Sequence, residues 1–144
     1  MKEAESGEFP RPLWIAAESV CNNGSGLIHF KRGAFDSLCA IKPCVYKFDQ
    51  LFPGISQAYD VTPLECQFML WQTKILSDVT IYSLPLFIPN EYFFKTFAHK
   101  GETKADIYAW AVRDVMGRAT QLRLYDEVRI RDKLKYQEEI GLVR

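Results

Sequence analysis

Two histidines, four cysteines and a Lys31-Arg32 pair are the groups in this sequence whose chemistry could go beyond packing. His29 sits inside the apolar run Leu27-Ile28-His29-Phe30, which predicts a hydrogen-bonded, half-buried imidazole and not a general base with a recognisable partner. His99 reads as a loop residue. Cys21, Cys39, Cys44 and Cys66 form no Cys-x-x-Cys pair and stand at no metal-ligand spacing with the histidines, so reduced, structural thiols are expected and no metal. Lys31 and Arg32 could grip a phosphate through charge-assisted hydrogen bonds, or be solvated beside an apolar helix face. Tyr92, Phe93 and Phe94 could touch acyl chains or lipid, against core packing or a partner interface as the commoner uses of such a cluster.

The elements that must position these groups come from a chain of 144 residues with 48% hydrophobic content, enough for one compact α/β core. Lys+Arg and Asp+Glu are both 18, which excludes a net field drawing the chain to nucleic acid or to an anionic membrane, so charge recognition must be local. The polar, mostly acidic start Met1 to Glu8 stands where a signal peptide needs a basic end and an apolar run. The expectation is an intracellular, cytosolic or organelle-facing protein. No stretch reaches the roughly 18 uninterrupted apolar residues of a spanning helix, so any membrane contact is expected to be peripheral.

Along the chain, residues 1–11 read as a disordered lead-in and residues 12–144 as one structural unit. Residues 12–17 form a brief apolar run expected to be a buried strand, followed by a loop in which the sequon-like Asn23-Gly24-Ser25 reads as a tight turn. A short helix is expected over 27–35, with Phe35 near Ile28 and Lys31, and a strand over 40–48 that Pro43 makes short, bulged or edge-lying. After a loop starting at Phe52, Thr62-Pro63-Leu64-Glu65 predicts a helix with Thr62 as cap, Pro63 in the first position and Glu65 closing a capping box. That helix should run to about Leu76 with Leu64, Phe68, Trp71 and Ile75 as a core stripe.

Residues 78–84 alternate as a strand that Pro85 and Pro89 terminate. Asn90 offers a cap for an aromatic helix through Phe97. Thr103-Lys104-Ala105-Asp106 opens a further helix with Ile107, Trp110, Ala111 and Val115 on its apolar face, and a charged helix from Asp126 should end near Gly141. The alternation predicts an α/β layer in which 13–17, 43–48 and 79–84 share one small, mainly parallel or mixed sheet flanked by helices. Such a sheet could be completed by a protein partner.

The stretch Pro12 to Lys47 resembles the middle of the glycerolipid (lysophospholipid) acyltransferase family, whose pattern is a strand, Phe-Pro-Glu-Gly-Thr, Asn-Gly-Thr, Phe-Lys-x-Gly-Ala-Phe and a Pro-Val strand. Here the matching residues are Ala16-Ala17-Glu18-Ser19-Val20, Asn23-Gly24-Ser25, Phe30-Lys31-Arg32-Gly33-Ala34-Phe35 and Ile41-Lys42-Pro43-Cys44-Val45. Ile81-Tyr82-Ser83-Leu84-Pro85 is similar to the family's later strand ending in Leu-Pro. The likeness covers roughly the first 90 residues well and the rest only by element order.

The resemblance implies the C-terminal half of an acyltransferase-like domain over 12–144, with acyl-CoA as co-substrate and a lysophospholipid or glycerol phosphate as acceptor. It also implies an acceptor or phosphate site at Glu18, Ser19, Asn23, Lys31 and Arg32. Glu18 would bind acceptor hydroxyls, or hydrogen-bond turn amides. Ser19 and Val20 replace the family's Gly and Thr, adding a side chain where close backbone approach is expected and removing a hydroxyl donor. In such enzymes a His-x4-Asp pair deprotonates the acceptor, yet the fifth residue after His29 is Ala34 and after His99 is Lys104. The expectation is therefore a truncated, pseudoenzyme-like chain with no catalytic residues and no bound cofactor, inactive alone. The alternative is a structural or interaction subunit of a larger, possibly membrane-associated complex.

Overall fold

The computed structural model describes residues 13–20, 22–49, 62–76 and 78–142. The lead-in 1–11, Cys21 and most of the loop from Phe52 lie outside the described residues. The elements are β1 (Gly26–Leu27), a 3-10 turn (Arg32–Ala34), β2 (Cys44–Asp49), α1 (Leu64–Gln72), β3 (Asp78–Ser83), α2 (Glu91–Thr96), a second 3-10 turn (Ala98–Lys100), α3 (Lys104–Thr120), β4 (Arg123–Leu124) and α4 (Ile130–Glu139). This is a small mixed α/β arrangement, with parallel and antiparallel pairs.

Helix α3 is the spine, and its start is set by the expected cap. The Thr103 hydroxyl accepts from the Asp106 amide at 3.2 Å, and Asp106 Oδ2 accepts from the Thr103 amide at 3.0 Å. Together they satisfy two of the amides that a helix start leaves unpaired. Ala105, Ile107, Tyr108, Ala109, Ala111, Val112 and Met116 are buried against β1, β2, β4, α2 and both 3-10 turns. The expected face is thereby corrected: Trp110 is half-buried and Val115 is 40% exposed. The covered surface is centred on the Tyr108–Val112–Met116 row, because that row meets the two strand ladders.

β2 and β3 pair antiparallel, with Tyr46 opposite Ile81 and Phe48 opposite Val79, close to the bounds read from sequence. β1 and β4 pair parallel, Gly26 with Arg123 and Leu27 with Leu124. Gly26 is required there, since a Cβ would press on the Arg123 carbonyl oxygen and the Tyr125 ring. Of the three strands expected in one sheet, 43–48 and 79–84 pair as β2 and β3, while the second two-stranded ladder is made by β1 and β4. Residues 13–17 belong to neither, and Leu13, Trp14 and Ile15 are 55%, 70% and 42% exposed. An apolar run is not enough for a strand when no neighbouring edge among the described residues receives it.

The helix expected over 27–35 is replaced by β1 and a 3-10 turn, for a traceable reason. The Lys31 amide donates to Ala17 O at 2.8 Å, and Leu27 O accepts from the Tyr125 amide at 2.9 Å. The donor and acceptor of a first helical turn are thus committed to distant partners. Phe35 is buried, stacked on Phe30 and edge-on to Tyr108 with centroids at 6.1 and 5.4 Å.

α1 begins at Leu64, not with a Thr62 capping box: Pro63 holds the cap position without a side-chain bond, and the Thr62 hydroxyl donates to Gln67 Oε1 at 2.8 Å. It ends at Gln72, short of Leu76. Its expected core stripe is also corrected, because Leu64, Phe68 and Ile75 are exposed and only Trp71 is half-buried. No described element lies across from that stripe to cover it.

At the other end Asn90 caps α2 as read, its Oδ1 accepting from the Phe93 amide at 2.8 Å. Phe94 is buried and Phe93 packs among Phe87, Phe94 and Phe97, the packing use of this aromatic cluster, while Tyr92 stays exposed. α4 stops where Gly141 takes a left-handed conformation.

Candidate functional site

The site grows from one carboxylate and the turn it holds. Ser19 takes the left-handed conformation (φ 58°) as its amide donates back to Ala16 O, and this swings Glu18 toward the Asn22–Ile28 loop. Glu18 Oε1 accepts from the Ile28 amide at 2.8 Å, and the Asn22 side-chain amide donates to Oε2 at 3.0 Å and to Gly26 O at 3.0 Å. Within the loop Asn22 Oδ1 accepts from the Gly24 amide, and Asn23 Oδ1 from the Ser25 amide and hydroxyl. Gly24 sits at φ 78°, a turn geometry suited to glycine. The carboxylate therefore bonds turn amides, one of the two uses foreseen for it.

Burial pushes the Glu18 pKa above 4.5, opposed by the Ile28 amide, the Arg113 charge and the Asn22 amide in that order. Arg113 reaches this region from α3. Its buried guanidinium donates from Nη2 to Leu27 O at 3.0 Å and from Nη1 to Asp126 Oδ1 at 2.7 Å, while Nε is buried without a hydrogen-bond partner. The hydrogen bond and charge of Arg113 lower the Asp126 pKa below 3.8.

Beside this turn lies an apolar groove of about 900 Å³. Leu13, Trp14, Ile15, Phe30 and Val45 line it, together with Glu18 and the lysines Lys42, Lys47 and Lys74. Asn23 lines it too, whereas Ser19, Lys31 and Arg32 do not. Lys31 is exposed, and Arg32 pairs with Asp36 at 3.4 Å, a solvated contact of small worth. The structure thus brings Glu18 and Asn23 together and leaves the two basic residues on the outside of the 3-10 turn.

His29 Nε2 meets the Asp126 backbone oxygen at 2.8 Å, not a carboxylate, and His99 is exposed in the second 3-10 turn. Among the described residues no cluster of three or more His, Cys, Asp or Glu side chains could hold a metal. Cys39, Cys44 and Cys66 are free thiols. Chemically, the groove offers an apolar surface to an aliphatic chain, the Glu18 carboxylate is engaged with the Ile28 and Asn22 amides, and among the described residues neither histidine hydrogen-bonds a carboxylate.

Sequence reasoning passed over Asn22, Arg113 and Asp126. Arg113 alone left a signal, a charged residue next to Val112 on the covered side of α3.

Comparison with curated proteins supports a distant relationship of this chain to acyltransferases. Lysophosphatidylcholine acyltransferase of Drosophila melanogaster is 29% identical over 105 residues, 73% of this chain and 18% of that protein. Lysophosphatidylcholine acyltransferase 1 of Danio rerio is 30% identical over 129 residues, 87% of this chain and 22% of that protein. The chain spans about a fifth of the length of these relatives. No family model matches it, and no solved structure does. Among the described residues no helix is long and apolar enough to cross a membrane.

Proposed function

We propose that this chain is the lipid-accommodating part of an acyltransferase-type domain, related to enzymes that move an acyl group from acyl-CoA to a lysophospholipid or glycerol phosphate. Residues 12–144 would form one half-domain that does not turn over substrate by itself. The observation that carries this reading is the apolar groove bounded by the Glu18 turn, of a size usual for small-molecule sites. Glu18 and Asn23 stand at the acceptor end, and the acyl chain lies along Trp14, Phe30 and Val45. Among the described residues neither histidine hydrogen-bonds a carboxylate that would orient it as an acceptor hydroxyl attacks, and a positioned base contributes roughly 10²–10⁴-fold.

The test uses the full chain and a single-chain phospholipid brominated in its acyl chain. Saturable quenching of tryptophan fluorescence is expected, and Trp14→Phe should remove most of it. Quenching that is absent, or unchanged in Trp14→Phe, overturns the groove assignment. Incubation with labelled acyl-CoA and lysophospholipids should give no turnover; turnover abolished by His29→Ala would overturn the inactive reading.

A structural subunit is the second reading, favoured by the uncovered face of the β2–β3 ladder, where Tyr46, Phe48 and Ile81 are exposed. A protein partner completing this sheet would cover it. Stable monomers with no lipid uptake and a saturable protein complex would favour that reading.

A further inference from the structure

The peptide unit between Leu27 and Ile28 is engaged at both of its polar ends. Its carbonyl oxygen accepts from Arg113 Nη2 at 3.0 Å, and its amide donates to Glu18 Oε1 at 2.8 Å. The C=O and N–H of a trans peptide point in opposite directions, so this one unit stands between the guanidinium on α3 and the carboxylate at the groove. A cation on the oxygen polarises the unit and strengthens the donor at its other end. The Tyr125 amide, which donates to the same oxygen at 2.9 Å, adds to that polarisation.

The charges around Glu18 single out Arg113. Asp126 Oδ1 accepts from Arg113 Nη1 at 2.7 Å, and the Asp126 backbone oxygen meets His29 Nε2 at 2.8 Å. Arg123 lies over the Tyr125 ring, and Lys42, Lys47, Lys74 and Asp78 line the groove. Of these charges it is Arg113's that bears on the Glu18 carboxyl, favouring the ionised form that burial opposes.

The carboxylate keeps room for one more donor. Oε1 accepts from the Ile28 amide and, at 3.2 Å, from the Asn22 side chain, whereas Oε2 accepts only from Asn22, at 3.0 Å. An ionised carboxylate has about four acceptor positions, two on each oxygen, so Oε2 can take a further hydroxyl. Stability alone gives little reason for the arginine. Its side chain is 4% exposed with Nε buried and unpartnered, while its acid partner Asp126 is 77% exposed. Apolar side chains often replace such buried charges without loss of stability.

We propose that Arg113 is the positioning residue of Glu18: through the Leu27–Ile28 peptide unit it holds the carboxylate as a hydrogen-bond acceptor whose Oε2 takes the free hydroxyl of the lipid. The hydroxyl part rests on the lipid reading of the groove, and the link from Arg113 to Glu18 does not.

The link is tested by NMR on the full chain, following the Glu18 carboxyl carbon, the Ile28 amide and the Arg113 guanidinium nitrogens through a pH titration. In the wild type the Ile28 and Arg113 signals should shift with the midpoint of the Glu18 carboxyl, and Glu18→Gln should remove that midpoint from both. Arg113→Met should move the Glu18 midpoint to higher pH and the Ile28 amide proton upfield, and Arg113→Lys should restore part of each change. A residue that only packs would alter the thermal midpoint and leave these signals in place. That result, or wild-type Arg113 signals that ignore the Glu18 midpoint, overturns the proposal. Arg113→Met should fold, because Leu27 O keeps the Tyr125 amide and Asp126 stays solvated. Where circular dichroism shows it unfolded, the wild-type and Glu18→Gln titrations decide.

The hydroxyl part is read by fluorescence quenching with a brominated lysophospholipid and with the same lipid methylated on its free hydroxyl. The wild type should bind the hydroxyl form about tenfold more tightly, the worth of one hydrogen bond to a charged group. Arg113→Met and Glu18→Gln should each bring that ratio toward one. A ratio near one in the wild type, or unchanged in Arg113→Met, overturns the hydroxyl role and leaves the groove reading standing. Binding of neither lipid overturns the groove reading and with it the hydroxyl role, and the NMR titration still decides the link.

Discussion

Tyr108→Phe removes one oxygen from the most enclosed side chain among the described residues, and its cost can be worked from its partners. Tyr108 is 0% exposed, and its hydroxyl approaches Cys39 O at 2.9 Å and Phe87 O at 3.2 Å. The Phe87 carbonyl keeps the Ile41 amide as a donor, so the loss falls mainly on the Cys39 carbonyl in the interior. Leaving such an acceptor unsatisfied costs about 1–3 kcal/mol, and the ring contacts with Phe35 and Phe87 are retained by phenylalanine. For a chain of this length that corresponds to a fall in Tm of about 3–12 °C. Urea unfolding followed by circular dichroism and by fluorescence should show a lower midpoint with the slope unchanged. A loss under about 0.5 kcal/mol would refute the argument, because it would mean that water or local relaxation satisfies the Cys39 carbonyl at little cost.

Two further outcomes test the site. Gly26→Ala, whose Cβ would meet the Arg123 backbone oxygen, should destabilise the chain by about 1–3 kcal/mol or more and abolish lipid quenching, whereas Gly33→Ala, with open space around it, should be near neutral; equal thermal midpoints for the two would contradict the close β1–β4 approach. Because burial raises the Glu18 pKa, the folded state holds that proton more tightly than the unfolded chain, so its stabilising share is full below pH 4.5 and is lost as pH rises through the raised value. Glu18→Gln should flatten this decline in urea midpoints measured from about pH 4 to 7, and an unaltered decline would assign it to another group; the Asp126 contribution runs the other way and is lost only as pH falls below 3.8.

What could be read from the sequence was local. Thr103 with Asp106 and Asn90 with the Phe93 amide are decided within one helical turn, and both caps form where the residue pattern placed them. The β2 and β3 segments carry their own alternation and pair with each other. What was not legible depends on partners far away in sequence. Residues 13–17 have a strand's composition and, among the described residues, no edge to join, while residues 27–35 have a helix's composition but the Lys31 amide and the Leu27 carbonyl are claimed by Ala17 and Tyr125. The site divides the same way: Glu18 and Asn23 stand in recognisable motif positions, whereas Arg113 acquires its role only when α3 is laid across Leu27.

The short β1–β4 ladder sets an order of events. Gly26 and Leu27 meet Arg123 and Leu124, and His29 meets Asp126, at a sequence separation of 97. Closing a loop of that length costs roughly 4 kcal/mol in chain entropy before any contact is gained. The Asn22–Gly26 loop is thus anchored by a segment synthesised long after it. A chain that stopped before Arg123 would carry the Glu18 motif intact and lack the strand with which Gly26 and Leu27 pair, so the shape of that turn depends on residues beyond the far end of α3.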